Sequence, residues 1–228
     1  MVCHDRGAGE HGDDVAGTGA SGIDAKKKTT VAREQDQEER AAWRTEAIAL
    51  DPAVLVFLDE TSTPTTLTPL MARSPRGQRA IGIVPLGRRE QVSLLATLTP
   101  NGFGAALSIP GAINRNAFDS FIIKMLIPTL RQGQIVLCDN LPVHKRARAR
   151  EALEAAGCTL RFLPRYSPDF NPIEQAFAKL KQNLRRASAR TIDTVIDATG
   201  VAMTTVTAND ARAFFADAGF ALPSGQNL

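Results

Sequence analysis

The stretch Val54-Leu55-Val56-Phe57-Leu58-Asp59 marks the start of a compact domain and decides how the rest of the chain is interpreted. Five consecutive apolar residues are typical of a strand buried on both faces, and here the run ends on a carboxylate. A second run, Ile135-Val136-Leu137-Cys138, ends in the same way on Asp139. Two buried strands that each end on an aspartate predict two carboxylates close together in a central sheet.

A third acidic residue, Glu174, lies near the start of a predicted helix. Positions 140–173 separate it from Asp139, a spacing of 34 residues. Each acid also has a purely structural explanation. Asp59 and Asp139 suit turns after strands. With Asn171 as N-cap and Pro172 as the first helical residue, Glu174 would complete a capping box worth about 1 kcal/mol.

Taken together, the three acids predict a site for divalent metal ions, because Mg²⁺ prefers hard oxygen ligands. The start of a helix favours an ionised carboxylate by about 0.3–1 kcal/mol, and a metal ligand must be ionised. Two ions about 3.5–4 Å apart can activate the attacking oxygen and stabilise the leaving oxygen of a phosphodiester. Asp59 would bridge the ions, while Asp139 and Glu174 would each hold one. The predicted cofactor is two Mg²⁺ ions, with Mn²⁺ as a substitute.

Basic residues are concentrated in three clusters near these acids. The predicted DNA-binding residues taken from them are Arg76, Lys145, Arg146, Lys181 and Arg185. Basic clusters beside carboxylates suit a polyanion held by its phosphates, although Lys and Arg that merely solvate helix faces would give the same pattern. Lys181 and Arg185 share a helical stripe with Glu174, which places them beside the predicted metal site.

Composition narrows the class of protein. The 228 residues are 43% hydrophobic and 22% charged, with a net charge of +3, which is typical of a globular protein. No run reaches the roughly 18 apolar residues of a membrane span, and the N-terminus does not resemble a secretory signal. The three cysteines form no C-x-x-C pair, so neither a disulfide framework nor a zinc site is expected. A reducing cytoplasm is the predicted location.

The chain divides into four predicted parts. These are a disordered Gly-rich tail (1–25), a linker with a helix over 34–49 (26–51), a catalytic domain (52–220) and a C-terminal tail (221–228). Strands are predicted at 54–58, 81–85, 92–99, 103–109, 135–138 and 159–163, and 61–79 as an irregular connection. Helices are predicted at 116–130, 143–156, 172–186, 191–206 and 209–218. This order predicts an α/β domain with a mixed sheet flanked by helices, a ribonuclease-H-like fold.

Three blocks carry a resemblance to a known family. They are 58–61 (LDET), 139–145 (DNLPVHK) and 166–174 (YSPDFNPIE), and they resemble the catalytic blocks of mariner-like DDE-superfamily transposases, specifically the bacterial insertion-sequence branch. The resemblance implies a magnesium-dependent catalytic half that cleaves DNA at transposon ends and joins the freed 3′-hydroxyl to target DNA. By position, it implies catalytic roles for Asp59, Asp139 and Glu174. It also implies a homodimer in the synaptic complex and a bacterial, nucleoid-associated location.

Neighbouring residues have expected supporting roles. Asn140, His144 and Asn171 would orient the site or touch phosphate, although His144 is equally suited to a local bond at a helix start. Tyr166 and Phe170 are expected to pack beneath Glu174 rather than to stack on bases. The segment 62–65 (STPT) departs from the family, whose members often have an aromatic residue there.

Family members usually carry an N-terminal helix-turn-helix half, for which the Gly-rich tail is no substitute. We therefore expect the chain to be the downstream product of a split or frameshifted element, with a separate DNA-binding half. Two other functions stay open. One is a truncated, non-catalytic fragment that binds DNA or full-length transposase as a regulator. The other is a different ribonuclease-H-like nuclease, which the spacing and sequence around Glu174 disfavour.

Overall fold

The computed structural model describes residues 33–69, 72–82, 90–140 and 147–220. The strands are β1 (Leu55–Pro64), β2 (Gln91–Thr99), β3 (Gly102–Pro110), β4 (Ile135–Cys138) and β5 (Thr159–Phe162). The helices are α1 (Gln37–Ile48), α2 (Arg115–Phe121), α3 (Ala147–Ala155), α4 (Pro172–Ala187), α5 (Ile192–Thr204) and α6 (Ala208–Asp217). The predicted tails, 1–25 and 221–228, lie outside the described residues.

The sheet has five strands in the order β3-β2-β1-β4-β5. β1, β2 and β3 pair antiparallel, whereas β4 pairs parallel with β1 and β5 pairs parallel with β4. This mixed sheet with helices on its faces confirms the predicted ribonuclease-H-like fold. In the ranges that the structure describes, no helix is long and apolar enough to cross a membrane.

Each face of the sheet has its own hydrophobic core. Because side chains alternate along a strand, Leu55 and Phe57 enter one core while Val56 and Leu58 enter the other. The first core is completed by apolar residues of α1, α4, α5 and α6, and the second by those of α2 and α3. Burial on both faces explains why the apolar run of β1 is continuous rather than alternating.

β1 is longer than the sequence predicts. It continues to Pro64, whereas an irregular connection was expected from Thr61 onward. Thr61 and Thr63 pair with Leu94 and Val92 of β2, and both threonines are buried. The β-branched threonines suit this pleated surface although they are polar. Asp59 therefore lies in the middle of a strand, held by ladder hydrogen bonds, and not at its end.

The predicted helix over 116–130 is divided into three segments. α2 ends at Phe121, a π-helical segment spans Ile122–Leu126, and a 3₁₀ turn spans Ile127–Thr129. Pro128 has no N–H to donate to an α-helical ladder, which accounts for the change of hydrogen-bond pattern. The predicted strand at 81–85 is wrong for residues 81–82, which lie outside any strand, and 83–85 are not described. The first residues of the predicted helix 143–156 are likewise not described.

α1 is fastened to the loop before α4 by one buried arginine. Arg40 is 6% exposed and donates to both carboxylate oxygens of Asp169, at 2.9 and 2.7 Å. Its guanidinium carbon also lies 4.3 Å from the centroid of the Phe170 ring. A bidentate, charge-assisted pair of this kind fixes both direction and distance. α1 is therefore part of the same compact unit as the sheet.

This ion pair predicts a specific pH dependence of stability. Hydrogen bonding from Arg40 lowers the pKa of Asp169, against a smaller opposing effect of burial. A lowered folded-state pKa stabilises the fold above the unfolded pKa of about 3.9, and that stabilisation is lost as the pH falls through the folded value. Asp169→Asn is expected to cost about 1–2 kcal/mol at pH 7, because the carboxylate is half exposed, and much less at pH 2. Urea denaturation at both pH values measures this difference.

The matched control for that measurement is Glu151→Gln, which neutralises an exposed carboxylate on α3. It should leave the free energy of unfolding nearly unchanged at both pH values. An equal loss for Asp169→Asn at pH 7 and pH 2 would contradict an electrostatic role for the pair.

Candidate active site

Two of the three predicted acids lie next to each other because of the parallel pairing of β1 and β4. The last paired residues are Leu58 and Cys138, so Asp59 and Asp139 each follow that pair on neighbouring strands. Adjacent strands are about 4.8 Å apart. Leu137 enters the same core as Phe57, and the alternation of side chains directs the following aspartates towards the face that α4 covers.

Glu174, in the first turn of α4, completes the set. All three acids line one cleft of about 700 Å³. The rest of the lining consists of Glu60, Ser62, Asn140, residues 163–168 and Asn171. The structure thus brings together three carboxylates that are far apart in the sequence, on one side of the sheet.

Asp59 accepts hydrogen bonds through both of its carboxylate oxygens. It is 7% exposed; its Oδ1 accepts from the Glu60 backbone N–H at 2.7 Å, and its Oδ2 accepts from the Asn171 amide Nδ2 at 2.8 Å. Asn171 makes no side-chain capping bond, so the predicted capping box with Glu174 is wrong. The physical reason is orientation: the Asn171 amide is turned so that Nδ2 donates to the Asp59 carboxylate, and its Oδ1 makes no hydrogen bond to a helix N–H. The Glu174 side chain consequently lines the cleft instead of closing a cap.

Burial is the main influence on the electrostatics of the cleft, and neighbouring charges add to it or oppose it. Burial raises the pKa of Glu174, Asp139 raises it further, and Lys181 opposes both. The helix start was expected to favour the ionised glutamate, but desolvation at the cleft outweighs it. Burial also raises the pKa of the Cys138 thiol, and Asp139 and Asp59 add to that rise. A divalent cation would offset this accumulation of negative potential.

The residues of the cleft have the oxygen atoms that a hard cation requires, but their side chains are not arranged around a common metal position. Across the described ranges, no group of three or more His, Cys, Asp or Glu side chains is arranged to hold a metal ion as it stands. The donor set is nevertheless suitable, because three carboxylates share the cleft. The Oδ1 atoms of Asn140 and Asn171 are also buried in its wall without a hydrogen-bond partner among those residues. Such oxygen atoms are the ligands that Mg²⁺ and Mn²⁺ prefer.

Comparison with known proteins identifies the family. The family model described as DDE superfamily endonuclease matches residues 54–196, which include β1, β4 and the start of α4. The chain belongs to the DDE endonuclease superfamily. No curated protein matches the sequence of this DDE domain.

Solved structures show the same fold. The Mos1 mariner paired end complex with Mn aligns with a TM-score of 0.69 at 17% identity, covering 87% of this chain and 64% of that one. The Mos1 strand transfer complex gives 0.65 at 16% identity with the same coverage. The Mos1 transposase catalytic domain with Raltegravir and Mg gives 0.63 at 15%, covering 84% and 92%. This chain thus spans 64% of the Mos1 chain in each of the two complexes, which is less than two thirds. It spans 92% of the isolated Mos1 catalytic domain.

The predicted DNA-binding residues differ in how they are related to the DDE cleft. Lys181 and Arg185 follow Glu174 along α4, half buried, and Lys181 is close enough to affect the pKa of Glu174. Arg76 lies in an exposed turn and is not part of the cleft wall. Lys145, Arg146 and His144 lie outside the described residues.

Two basic residues close in sequence to Lys181 and Arg185 make contacts within the domain. Lys179 pairs with Asp210 of α6 at 2.6 Å, and Arg190 donates to the Leu67 carbonyl at 2.9 Å. These contacts tie α4 and its following loop to neighbouring segments. They indicate structural roles for both cations.

The sequence does not predict that residues 163–168 form one wall of the DDE cleft. Phe170 is buried as predicted, but Tyr166 is 55% exposed and has a positive φ of 56°. The prediction that Tyr166 packs beneath Glu174 is therefore wrong. Pro164, Ser167 and Pro168 are residue types that indicate a loop at this place. They do not indicate which side chain of the loop faces solvent.

Proposed function

We propose that this DDE domain is the catalytic domain of a transposase. It would cleave DNA strands at transposon ends and then use the freed 3′-hydroxyl to attack target DNA. The observation that carries the proposal is the convergence of Asp59, Asp139 and Glu174 on one cleft in a chain of the DDE endonuclease superfamily. The similar solved structures include a transposase paired end complex and a strand transfer complex, which supports the same reading.

The residues divide into ligands and supports. Asp59, Asp139 and Glu174 would hold two Mg²⁺ ions, or Mn²⁺ in their place. When bound, the ions would supply Lewis-acid activation of the attacking and leaving oxygens. Asn171 fixes the rotamer of Asp59 through its amide, and Asn140 lies directly beside Asp139. Such partners orient metal ligands, and their loss commonly costs 10- to 100-fold in affinity or activity.

DNA would be held by basic residues through its phosphates. The candidate phosphate contacts are Arg76, Lys145, Arg146, Lys181 and Arg185, with His144 as a further candidate. Transposon ends and target DNA are the proposed partners, bridged by a homodimer, with a helix-turn-helix unit on a separate chain supplying sequence choice. A bacterial insertion-sequence origin and a nucleoid-associated location complete the proposal.

The test is divalent-metal-dependent nicking of supercoiled plasmid DNA. The full chain should nick with Mg²⁺ or Mn²⁺ and stop when a chelator removes the metal. Asp139→Asn, with an unchanged circular dichroism spectrum, should be inactive. Inactivity of both folded chains would favour the alternative, a non-catalytic fragment that binds DNA or transposase as a regulator. Equal activity of both chains would exclude the metal site and point to a contaminating nuclease.

A further inference from the structure

The loop 163–171 contributes residues 163–168 and Asn171 to the wall of the cleft. Hydrogen bonds hold this loop on both sides of one exposed ring. The Tyr166 carbonyl accepts a hydrogen bond from the Gln35 Nε2 at 2.8 Å, and the Ser167 hydroxyl donates to the Arg165 carbonyl at 3.1 Å. Downstream, Asp169 is fixed by the bidentate contact of Arg40. The backbone on both sides of Tyr166 is therefore fixed while its ring faces solvent.

Both the conformation and the exposure of Tyr166 call for an explanation. A non-glycine residue at positive φ is uncommon, and such residues persist where the surroundings impose them, often at functional sites. Tyr166 is the one aromatic residue among the exposed large apolar side chains of the described part of the chain. It is also the single tyrosine of the sequence, and it lines the same cleft as the three acids.

An uncharged contact is valuable at this place. Three carboxylates in the cleft repel the phosphates of an approaching strand until cations screen them. An aromatic ring attracts a nucleobase through stacking, which needs no charge and tolerates any base. Bases inside a duplex are already stacked on both faces. A ring at the cleft mouth can therefore pair only with a base that has left the stack, at an end or a distortion.

We propose that Tyr166 is a stacking platform for an unpaired or terminal nucleobase of the DNA strand that enters the acidic cleft. This inference rests on the proposed function, because it assumes that the cleft receives DNA. Arg165, exposed beside it and part of the same wall, would contact the adjacent phosphate. The cleft would thus distinguish frayed or single-stranded DNA at its mouth from intact duplex.

The first test measures affinity by fluorescence anisotropy at one fixed salt concentration, with the full chain. Ca²⁺ replaces Mg²⁺, because it takes the same oxygen ligands but in a looser geometry. The probes are a labelled blunt duplex and the same duplex with a single-stranded overhang. Tyr166→Ala is expected to weaken overhang binding about tenfold or more, and blunt-duplex binding little. Tyr166→Phe should keep the preference, and Tyr166→Leu, apolar but not aromatic, should lose it.

The second test is spectroscopic. Trp43 is the only native tryptophan and is buried, so Tyr166→Trp adds one reporter at the cleft mouth. Overhang DNA should quench the new indole and leave the wild-type signal unchanged. Unaltered overhang affinity of Tyr166→Ala, or no quenching in Tyr166→Trp, would overturn the proposal.

The outcomes also separate this inference from the proposed function. A wild-type chain that nicks DNA but binds both probes equally overturns stacking alone. A chain that prefers the overhang through Tyr166 yet never nicks overturns the transposase proposal alone. Failure of the wild-type chain to bind either probe overturns both.

Discussion

The Asp59→Asn variant is expected to lose about a thousandfold or more of its metal-dependent nicking while keeping its fold. The substitution removes the charge of a proposed metal ligand, and Lewis-acid stabilisation is worth several kcal/mol, with each 1.4 kcal/mol a factor of ten in rate. The shape of the side chain is preserved at a position that is 7% exposed. The hydrogen bond that Asp59 accepts from the Asn171 amide is lost, but so is the cost of a buried charge. Single-turnover nicking and thermal unfolding measure both effects.

A charge exchange with Asn171 provides the matched control. Asn171→Asp alone places two carboxylates 2.8 Å apart in a buried site, and we expect a loss of about 3–5 kcal/mol at pH 7. The double variant Asp59→Asn with Asn171→Asp restores an amide–carboxylate hydrogen bond of reversed direction. It should recover most of the stability but not the nicking, because the charge has moved from β1 to the start of α4. Recovery of nicking in the double variant would show that Asp59 is not required at its own position.

The second large effect concerns Phe57. Its ring is fully buried between Phe215 and Phe220, with centroids 5.2 and 5.1 Å away and edge-to-face geometry. Phe57→Ala is expected to destabilise the domain by about 3–5 kcal/mol, through lost transfer energy and the cavity left behind. This is a large part of the usual 5–15 kcal/mol of domain stability. Urea denaturation measures the loss.

Phe103 supplies the comparison for Phe57. Its ring stacks on Phe177 at 6.0 Å but is only half buried. Because Phe103→Ala leaves space that solvent fills, we expect it to cost clearly less, about 1–2 kcal/mol. Equal losses for the two variants would show that the aromatic cluster around Phe57 is not a centre of the core. The cluster matters to the site as well, since Phe57 precedes Asp59 by two residues on the same face of β1.

The positions of the strands could be predicted because burial leaves a direct pattern in the sequence. Apolar runs located the first part of β1 and all of β4, and the turn between β2 and β3 was indicated by Pro100-Asn101-Gly102, where Gly102 has a φ of 112°. The second half of β1 was missed because its buried residues are threonines. Their burial depends on pairing with β2, and local composition does not report that pairing.

The convergence of the three acids on one cleft could be predicted, but their hydrogen-bond partners could not. An aspartate after an apolar run and a glutamate near the start of a predicted helix are visible locally. The hydrogen bond from Asn171 to Asp59 joins residues 112 positions apart, and local rules assigned that amide to its own helix instead. The exposed ring of Tyr166 was missed for a similar reason. Its carbonyl accepts a hydrogen bond from Gln35, which lies 131 positions away in the sequence, and local rules do not report that contact.

The parallel pairing of β1 with β4 also sets the order in which the parts of the acidic cleft can form during synthesis. β1 leaves the ribosome early, but its parallel partner follows only after residues 65–134 have been made. Asn171 and Glu174 are made later still, so a nascent chain has no complete acidic cleft. Because such long-range pairing is slow and must precede the site, the proposed cleavage of DNA would begin only when the domain is nearly finished.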